Sequence, residues 1–231
     1  GDAEGQGMEW FGLAALALAA VYWLRYSWRP EPGPAGAAVK AASTGLLAVI
    51  LWRAAGLPLF WTIALGMTLG AVGDWFLARR GETAFLAGMA AFGIGHLAYA
   101  AGMLARSSEI GFDGLSVAED VALGSILALV LSTEVWLAPR TGALRWPVRA
   151  YVVLIAAMGA AAVLLPAAPG QWALGLGAAL FVASDLMLAL RLFVVAEPGR
   201  RRLLCLALWP AYWSGQALIA LGALSFWGLT G

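Results

Sequence analysis

An all-α bundle of about eight membrane-spanning helices is the fold class this chain predicts, and three observations carry it. Of 231 residues, 62% are hydrophobic and only 12% charged, against about 25% charged in soluble domains, so most of the surface must face lipid. Apolar runs recur at 8–26, 36–53, 57–78, 83–106, 114–138, 147–166, 170–194 and 202–229, each close to the ~20 residues that a spanning helix needs. None of them alternates apolar with polar residues as barrel strands do, and only a helix satisfies its own backbone hydrogen bonds in hydrocarbon.

Each element has local support. The first run carries acidic Asp2, Glu4 and Glu9 at its start and no basic stretch, so it is not read as a signal peptide. Residues 1–7, GDAEGQG, read as an N-terminal tail or an expression scar ahead of Met8, and 8–231 as a single eight-helix domain. Pro30, Pro32, Gly33 and Pro34 separate runs one and two, and helix two is expected to begin near Lys40. Helix three carries Gly66, Gly70 and Asp74 at a spacing of four, one face of a close-packed small-residue seam. Helix four carries His96 near its middle and Tyr99 almost a turn on. Glu119 and Asp120 suit the N-terminus of helix five, which ends before Pro139 and Gly142. Helix six holds Tyr151 near its start and stops before Pro166, Pro169 and Gly170. Helix seven holds Ser184 and Asp185, and Pro198 and Gly199 part it from helix eight, which carries Tyr212 and Gln216 one turn apart.

The charge distribution predicts orientation. Arg25, Arg29, Lys40, Arg79, Arg80, Arg140, Arg145, Arg149, Arg191 and Arg200 to Arg202 fall at the ends joined after helices one, three, five and seven, while Arg53 and Arg106 fall at the other ends. Twelve against two places the basic end in the cytoplasm and both termini outside, in what we expect to be a bacterial inner membrane. Trp10, Trp28, Trp52, Trp61, Trp75, Trp136, Trp146, Trp172 and Trp227 lie near helix ends, where indole rings prefer the headgroup zone. Glu134 is expected at the periphery, and Arg200 to Arg202 read as topology-setting charge.

An ionisable group in hydrocarbon costs several kcal/mol, so each buried one needs a reason. With one cysteine, Cys205, and one histidine, His96, neither a disulfide nor a Cys/His zinc cluster can form. Chemistry falls to carboxylates, hydroxyls and a few amines. Asp74 and Asp185 are the chief candidates; both occur as small-Asp-x-x-Leu-Ala on helices running in the same direction, as equivalent positions of two four-helix halves would. His96, Tyr99, Tyr151, Tyr212, Gln216 and Lys40 reach similar depths, and with helices three, four, six, seven and eight facing inward they would line one cavity open to the cytoplasm.

The stretch from Gly73-Asp74 through Phe85-Leu86-x-Gly88-x-x-Ala91-Phe92-x-x-Gly95-His96-x-x-Tyr99, followed by Phe181-Val182-x-Ser184-Asp185 and Tyr212-x-x-x-Gln216, resembles the YhhN family of multi-spanning membrane proteins. Its characterised members are lysoplasmalogenases. The resemblance implies hydrolysis of the vinyl-ether bond of a lysoplasmalogen, a lysophospholipid substrate met among membrane lipids, giving a fatty aldehyde and a glycerophospho-headgroup alcohol. On this reading we expect acid and base roles for Asp74 and Asp185, without assigning which is which, orientation or proton relay by His96, and substrate or water contacts for Lys40, Tyr99, Tyr151, Ser184, Tyr212 and Gln216, with Arg79 a further phosphate ligand at the rim. The chemistry also suits the residues themselves. An enol ether breaks when its β-carbon is protonated, which needs an acid that keeps its proton near neutral pH, and burial favours the neutral carboxyl. A second, ionised carboxylate would stabilise the oxocarbenium ion, as in glycoside hydrolysis. No cofactor, metal or nucleic acid is expected.

Three other readings compete. A proton-coupled small-solute or lipid transporter would also use buried carboxylates and a lone histidine, although the helices lack paired mid-membrane Gly/Pro interruptions. A retinal protein is disfavoured because the sole lysine, Lys40, is placed near a helix end. A structural or receptor-like bundle would be silent towards every ether lipid.

Overall fold

The computed structural model describes residues 2–29, 31–111 and 114–229, with side chains from residue 7 onward. Pro30, Gly1 of the expected tail and the side chains of Asp2 and Glu4 lie outside the described residues. Eight helices follow one another: α1 (Asp2–Arg25), α2 (Gly33–Arg53), α3 (Phe60–Leu77), α4 (Glu82–Ile110), α5 (Val117–Trp136), α6 (Arg145–Val163), α7 (Gln171–Ala189) and α8 (Pro198–Phe226). No strand occurs among the described residues, and all eight helices are long and apolar enough to cross a bilayer. The chain is an integral membrane protein of the all-α class.

Several boundaries shift for local reasons. Gly33 and Pro34 begin α2, and Pro198 and Gly199 begin α8, because proline's missing N–H and fixed φ suit the first helical turn. Lys40 therefore sits two turns inside α2 and not at its start, and Arg200 to Arg202 lie in the opening turns of α8 and not in a loop. The Glu197 side chain caps α8, accepting from the N–H groups of Gly199 and Arg200 at 3.0 and 3.2 Å. Ser116 and Glu119 form a reciprocal capping box on α5. A five-residue π-helical turn, Leu190–Val194, ends α7. Trp227, expected at the headgroup level, is buried against Phe60 and Phe226, whereas Trp10, Trp146 and Trp172 are exposed as interfacial rings should be. Glu134 is held at the surface by Arg149.

Packing follows a plan used twice. On α3 and α4, a Cβ added to Gly66 would lie 3.1 Å from the Gly95 carbonyl oxygen, and one on Gly95 would lie 3.2 Å from that of Gly66. On α7 and α8, Gly177 and Gly215 approach more closely still, with 2.7 and 2.8 Å for the same comparison. Only glycine allows backbones this near. Asp74 follows Gly66 by eight residues and Asp185 follows Gly177 by eight; His96 follows Gly95 directly, as Gln216 follows Gly215. The halves meet where α8 contacts α2 and α3 and where α4 contacts α6. Their outer helices differ. α1 leans on α2 and α8, whereas α5 has its principal helix contact with α6.

Pro210 interrupts α8 and leaves the Leu206 carbonyl without its intrahelical donor. The indole N–H of Trp23 on α1 fills that gap at 2.9 Å. In return, the buried Trp209 donates to the Ala19 carbonyl at 3.0 Å, and its ring lies 4.5 Å from that of Tyr22. These contacts bring α1 against the part of α8 that carries Tyr212.

Candidate active site

The two aspartates are held at similar depth by opposite halves of the bundle. Asp74 is fully buried. Its Oδ2 accepts hydrogen bonds from Thr44 of α2 at 2.7 Å and from Tyr212 of α8 at 2.8 Å. The Lys40 ammonium lies 3.3 Å from Oδ1, an ion contact without hydrogen-bond alignment, so Oδ1 has no hydrogen-bond partner. Lys40 and Thr44 are four apart and share one face of α2. Behind Tyr212 the network continues: Gln216 donates to the Tyr212 hydroxyl at 3.2 Å, and Tyr99 donates to Gln216 Oε1 at 2.6 Å.

Asp185 is less enclosed, with 15% of its side chain exposed. Its Oδ2 accepts from the Tyr151 hydroxyl of α6 at 2.7 Å. His96 Nε2 lies 3.0 Å from that hydroxyl and 3.4 Å from Asp185 Oδ2. Because the Tyr151 proton is directed at Asp185, the phenolic oxygen is left to accept from an Nε2–H of His96. His96 Nδ1 is buried without a hydrogen-bond partner. The imidazole is packed edge-to-face on Phe181 at 4.6 Å between ring centres.

Both carboxylates line one polar cleft of about 830 Å³, including its open mouth, together with Lys40, Tyr212, Arg29 and Arg191. An apolar groove of about 930 Å³ adjoins it, and Asp185 lines both. Among the other expected residues, Tyr151 faces the groove. Ser184 borders the cleft, but its hydroxyl donates to the Phe181 carbonyl of its own helix. Tyr99 and Gln216 are buried behind Tyr212 and do not reach the cleft. His96 is likewise buried, touching Asp185 from behind. Arg79 is stacked over Trp75 at 4.9 Å and is absent from the cleft wall.

Sequence reasoning missed Thr44, Arg29 and Arg191. The lysine-to-threonine spacing on α2 was the available signal for Thr44; the two arginines carried no mark beyond their contribution to the basic end. No group of three or more potential metal-ligating side chains occurs among the described residues.

The family model named YhhN family matches residues 35–223, which contain every residue of this network. The chain belongs to the YhhN family. Within it, Lysoplasmalogenase TMEM86A of Bos taurus is 32% identical over 169 residues, covering 70% of this chain and 65% of that protein. The Homo sapiens protein of the same name is 31% identical with the same coverage. The Lysoplasmalogenase of Mycobacterium tuberculosis is 32% identical over 222 residues, 91% of this chain and 81% of its own length. The chain thus spans somewhat under two thirds of the mammalian YhhN relatives and most of the mycobacterial one. No solved structure matches it.

Proposed function

We propose that this chain hydrolyses the vinyl-ether bond of a lysoplasmalogen, with the basic end facing the cytoplasm. The observation that carries the reading is that Asp74 and Asp185, from two separate helices, border one cleft whose mouth carries Arg29 and Arg191. Two carboxylates serve the reaction and the cations suit a phosphate ester. The names of the YhhN relatives support the same substrate.

The difference between the two environments suggests how the work divides. Two hydroxyl donors, Thr44 and Tyr212, and the Lys40 ammonium converge on Asp74, and such partners suit an ionised carboxylate. Asp74 is then the fixed negative charge. Asp185 has one hydrogen-bond donor and is the carboxyl that borders both the cleft and the apolar groove, so a bond between a lipid's chain and its headgroup would lie against it, and we assign it the proton-donor role on that placement.

In the first step the Asp185 O–H bond breaks and its proton forms a C–H bond at the alkenyl carbon β to the ether oxygen. The adjacent carbon becomes an oxocarbenium ion, stabilised by the Asp74 carboxylate across the cleft. Water adds to that carbon and gives its proton to the Asp185 carboxylate, producing a hemiacetal. Asp185 then protonates the glyceryl oxygen as the C–O bond breaks, and the hemiacetal hydroxyl returns a proton to Asp185. The products are a fatty aldehyde and a glycerophospho-headgroup alcohol, with one water consumed. Tyr151 holds Asp185 in position and His96 holds Tyr151.

The test is aldehyde release from alkenyl lysophosphatidylcholine and lysophosphatidylethanolamine by the purified protein in nanodiscs. Time-dependent aldehyde formation is expected, with one glycerophospho-alcohol per aldehyde. Absence of aldehyde from both lipids would remove the proposal, and concentrative solute uptake by the same protein in proteoliposomes under a proton gradient would put the transporter reading in its place.

A further inference from the structure

The groove beside Asp185 is formed where α5, α6 and α7 leave space between them, with the end of α3 and the start of α4 completing the wall. Its lining is hydrocarbon apart from four residues. Two of these turn their polar atoms away: Thr133 donates to the Val130 carbonyl and the Trp136 indole to Ser132. The remaining polar atoms belong to Tyr151 and to Asp185, and Asp185 lies where groove and polar cleft meet. Leu77, Phe85, Phe92, Leu188 and Leu192 border both spaces, so the two adjoin along a shared wall that includes Asp185.

The groove extends from Leu137, Val148 and Phe193 near the basic end to Ile126, Gly159 and Val182 deeper in the bundle. On α6, Tyr151 and Gly159 both line it, eight residues apart, or about 12 Å along the axis at 1.5 Å per residue. Gly159 marks the point where three helices converge: a Cβ there would stand 3.4 Å from Ile126 Cδ1 of α5 and 3.7 Å from Val182 Cγ2 of α7. Ile126 and Val182 are also lining residues. On the bilayer side the wall is α5, only 17% of whose spanning window is buried.

We propose that this groove holds the hydrocarbon chain of a single-chain phospholipid and that Gly159, with Ile126 and Val182, forms an inner floor that sets chain-length preference. The ligand class rests on the hydrolase reading above, while the placement of the chain rests on the groove. The two linings set the polarity of binding: the chain lies towards Gly159, the phosphate towards Arg29 and Arg191, and the bond between them beside Asp185, which borders both spaces. A single groove takes a single chain. The space on the other side of Asp185 is lined by Lys40, Arg29 and Arg191, which disfavours a second tail and so discriminates against two-chain lipids.

The experiment has two arms. In the first, wild-type protein, Gly159→Leu and Ile126→Trp are compared on alkenyl lysophosphatidylcholines of short and long chain, with Leu16→Trp on the lipid-facing side of α1 as control. Both groove variants should lower the long-to-short ratio of kcat/KM by about tenfold, the scale on which apolar pockets discriminate, and the control should not. In the second, a lysophosphatidylcholine with a diazirine near the chain terminus is photolysed with the wild-type protein. Crosslinks should concentrate around Ile126, Gly159 and Val182 and be competed by unlabelled lysolipid. An unchanged ratio in an active enzyme, or crosslinks confined to outward faces, overturns the groove assignment. Crosslinks in the groove without aldehyde release from any chain length would retain the lipid site and reject the hydrolase.

Discussion

Asp74 and Asp185 occupy matching positions on the same packing plan and are treated in opposite ways. Each stands eight residues after a glycine that meets a glycine of the next helix, and each is approached by the helix preceding its own, through Thr44 of α2 or Tyr151 of α6. Each also receives a partner from the other half, Tyr212 of α8 for Asp74 and His96 of α4 for Asp185. Beyond that point the halves diverge. Asp74 has a lysine beside it and full burial, and Asp185 a histidine, an apolar groove and partial exposure. A repeated scaffold can therefore give two identical side chains unlike chemistry by changing only their neighbours.

The sharpest way to break the comparison is to neutralise each aspartate in turn. Asp185→Asn removes the proton donor but keeps a group able to accept from Tyr151, so turnover should fall about 10²- to 10⁴-fold, the range of general acid catalysis, with melting in detergent nearly unchanged. Asp74→Asn should also reduce turnover, by about 10²- to 10³-fold as for loss of one electrostatic stabiliser, and should in addition destabilise the fold. It leaves the Lys40 ammonium, 12% exposed, without its carboxylate, and breaking a buried pair costs about 3–5 kcal/mol. The double variant Lys40→Met/Asp74→Asn should recover stability without recovering activity. Equal stability losses for the two single variants would show that the halves do not differ as described.

How much of this difference was legible before the fold depends on what each residue had to reveal. A carboxylate in an apolar run stands out because hydrocarbon penalises it wherever its helix goes, so Asp74 and Asp185 were visible, and so was His96. Their partners were less so. A threonine in a membrane helix can return its hydroxyl to its own backbone, as Thr68 does to the Ala64 carbonyl, so the spacing of four from Lys40 was a signal for Thr44 that did not by itself assign it a partner. Arg191 follows Asp185 by six residues, roughly 240° around a regular helix, and it reaches the cleft from a π-helical ending that has no sequence mark. Tyr99 and Gln216 had the right depth and polarity, but depth alone does not separate a cleft wall from the layer behind it. The eight-residue glycine-to-aspartate spacing was present in the sequence, yet it becomes a repeat only when Gly95 and Gly215 are seen opposite the glycines.

The glycine seams allow a comparison of the halves by stability. An alanine methyl at Gly177 would press on the Gly215 carbonyl at 2.7 Å, while one at Gly95 would meet the Gly66 carbonyl at 3.2 Å. Backbone cannot step aside as a side-chain tip can. Gly177→Ala should lower stability by about 1–3 kcal/mol, the range for overpacking, and Gly95→Ala by less, measured as melting temperature of the purified proteins in one detergent. The reverse order would mean that α3 and α4, not α7 and α8, form the tighter pair.

The smallest expected effect lies beside Asp185, the carboxyl proposed as the proton donor. Ser184 precedes Asp185 and borders the polar cleft, which is why a substrate contact was expected of it, but its hydroxyl is committed to the Phe181 carbonyl at 2.7 Å. Such back-bonding adds little to a helix and often strains it slightly. Ser184→Ala should therefore leave kcat/KM within about twofold of wild type, a few tenths of a kcal/mol. A loss comparable to that of Asp185→Asn would mean that the hydroxyl leaves its helix and turns to the substrate during the reaction, and the second half would then be reorganised on binding while the Asp74 half stays fixed.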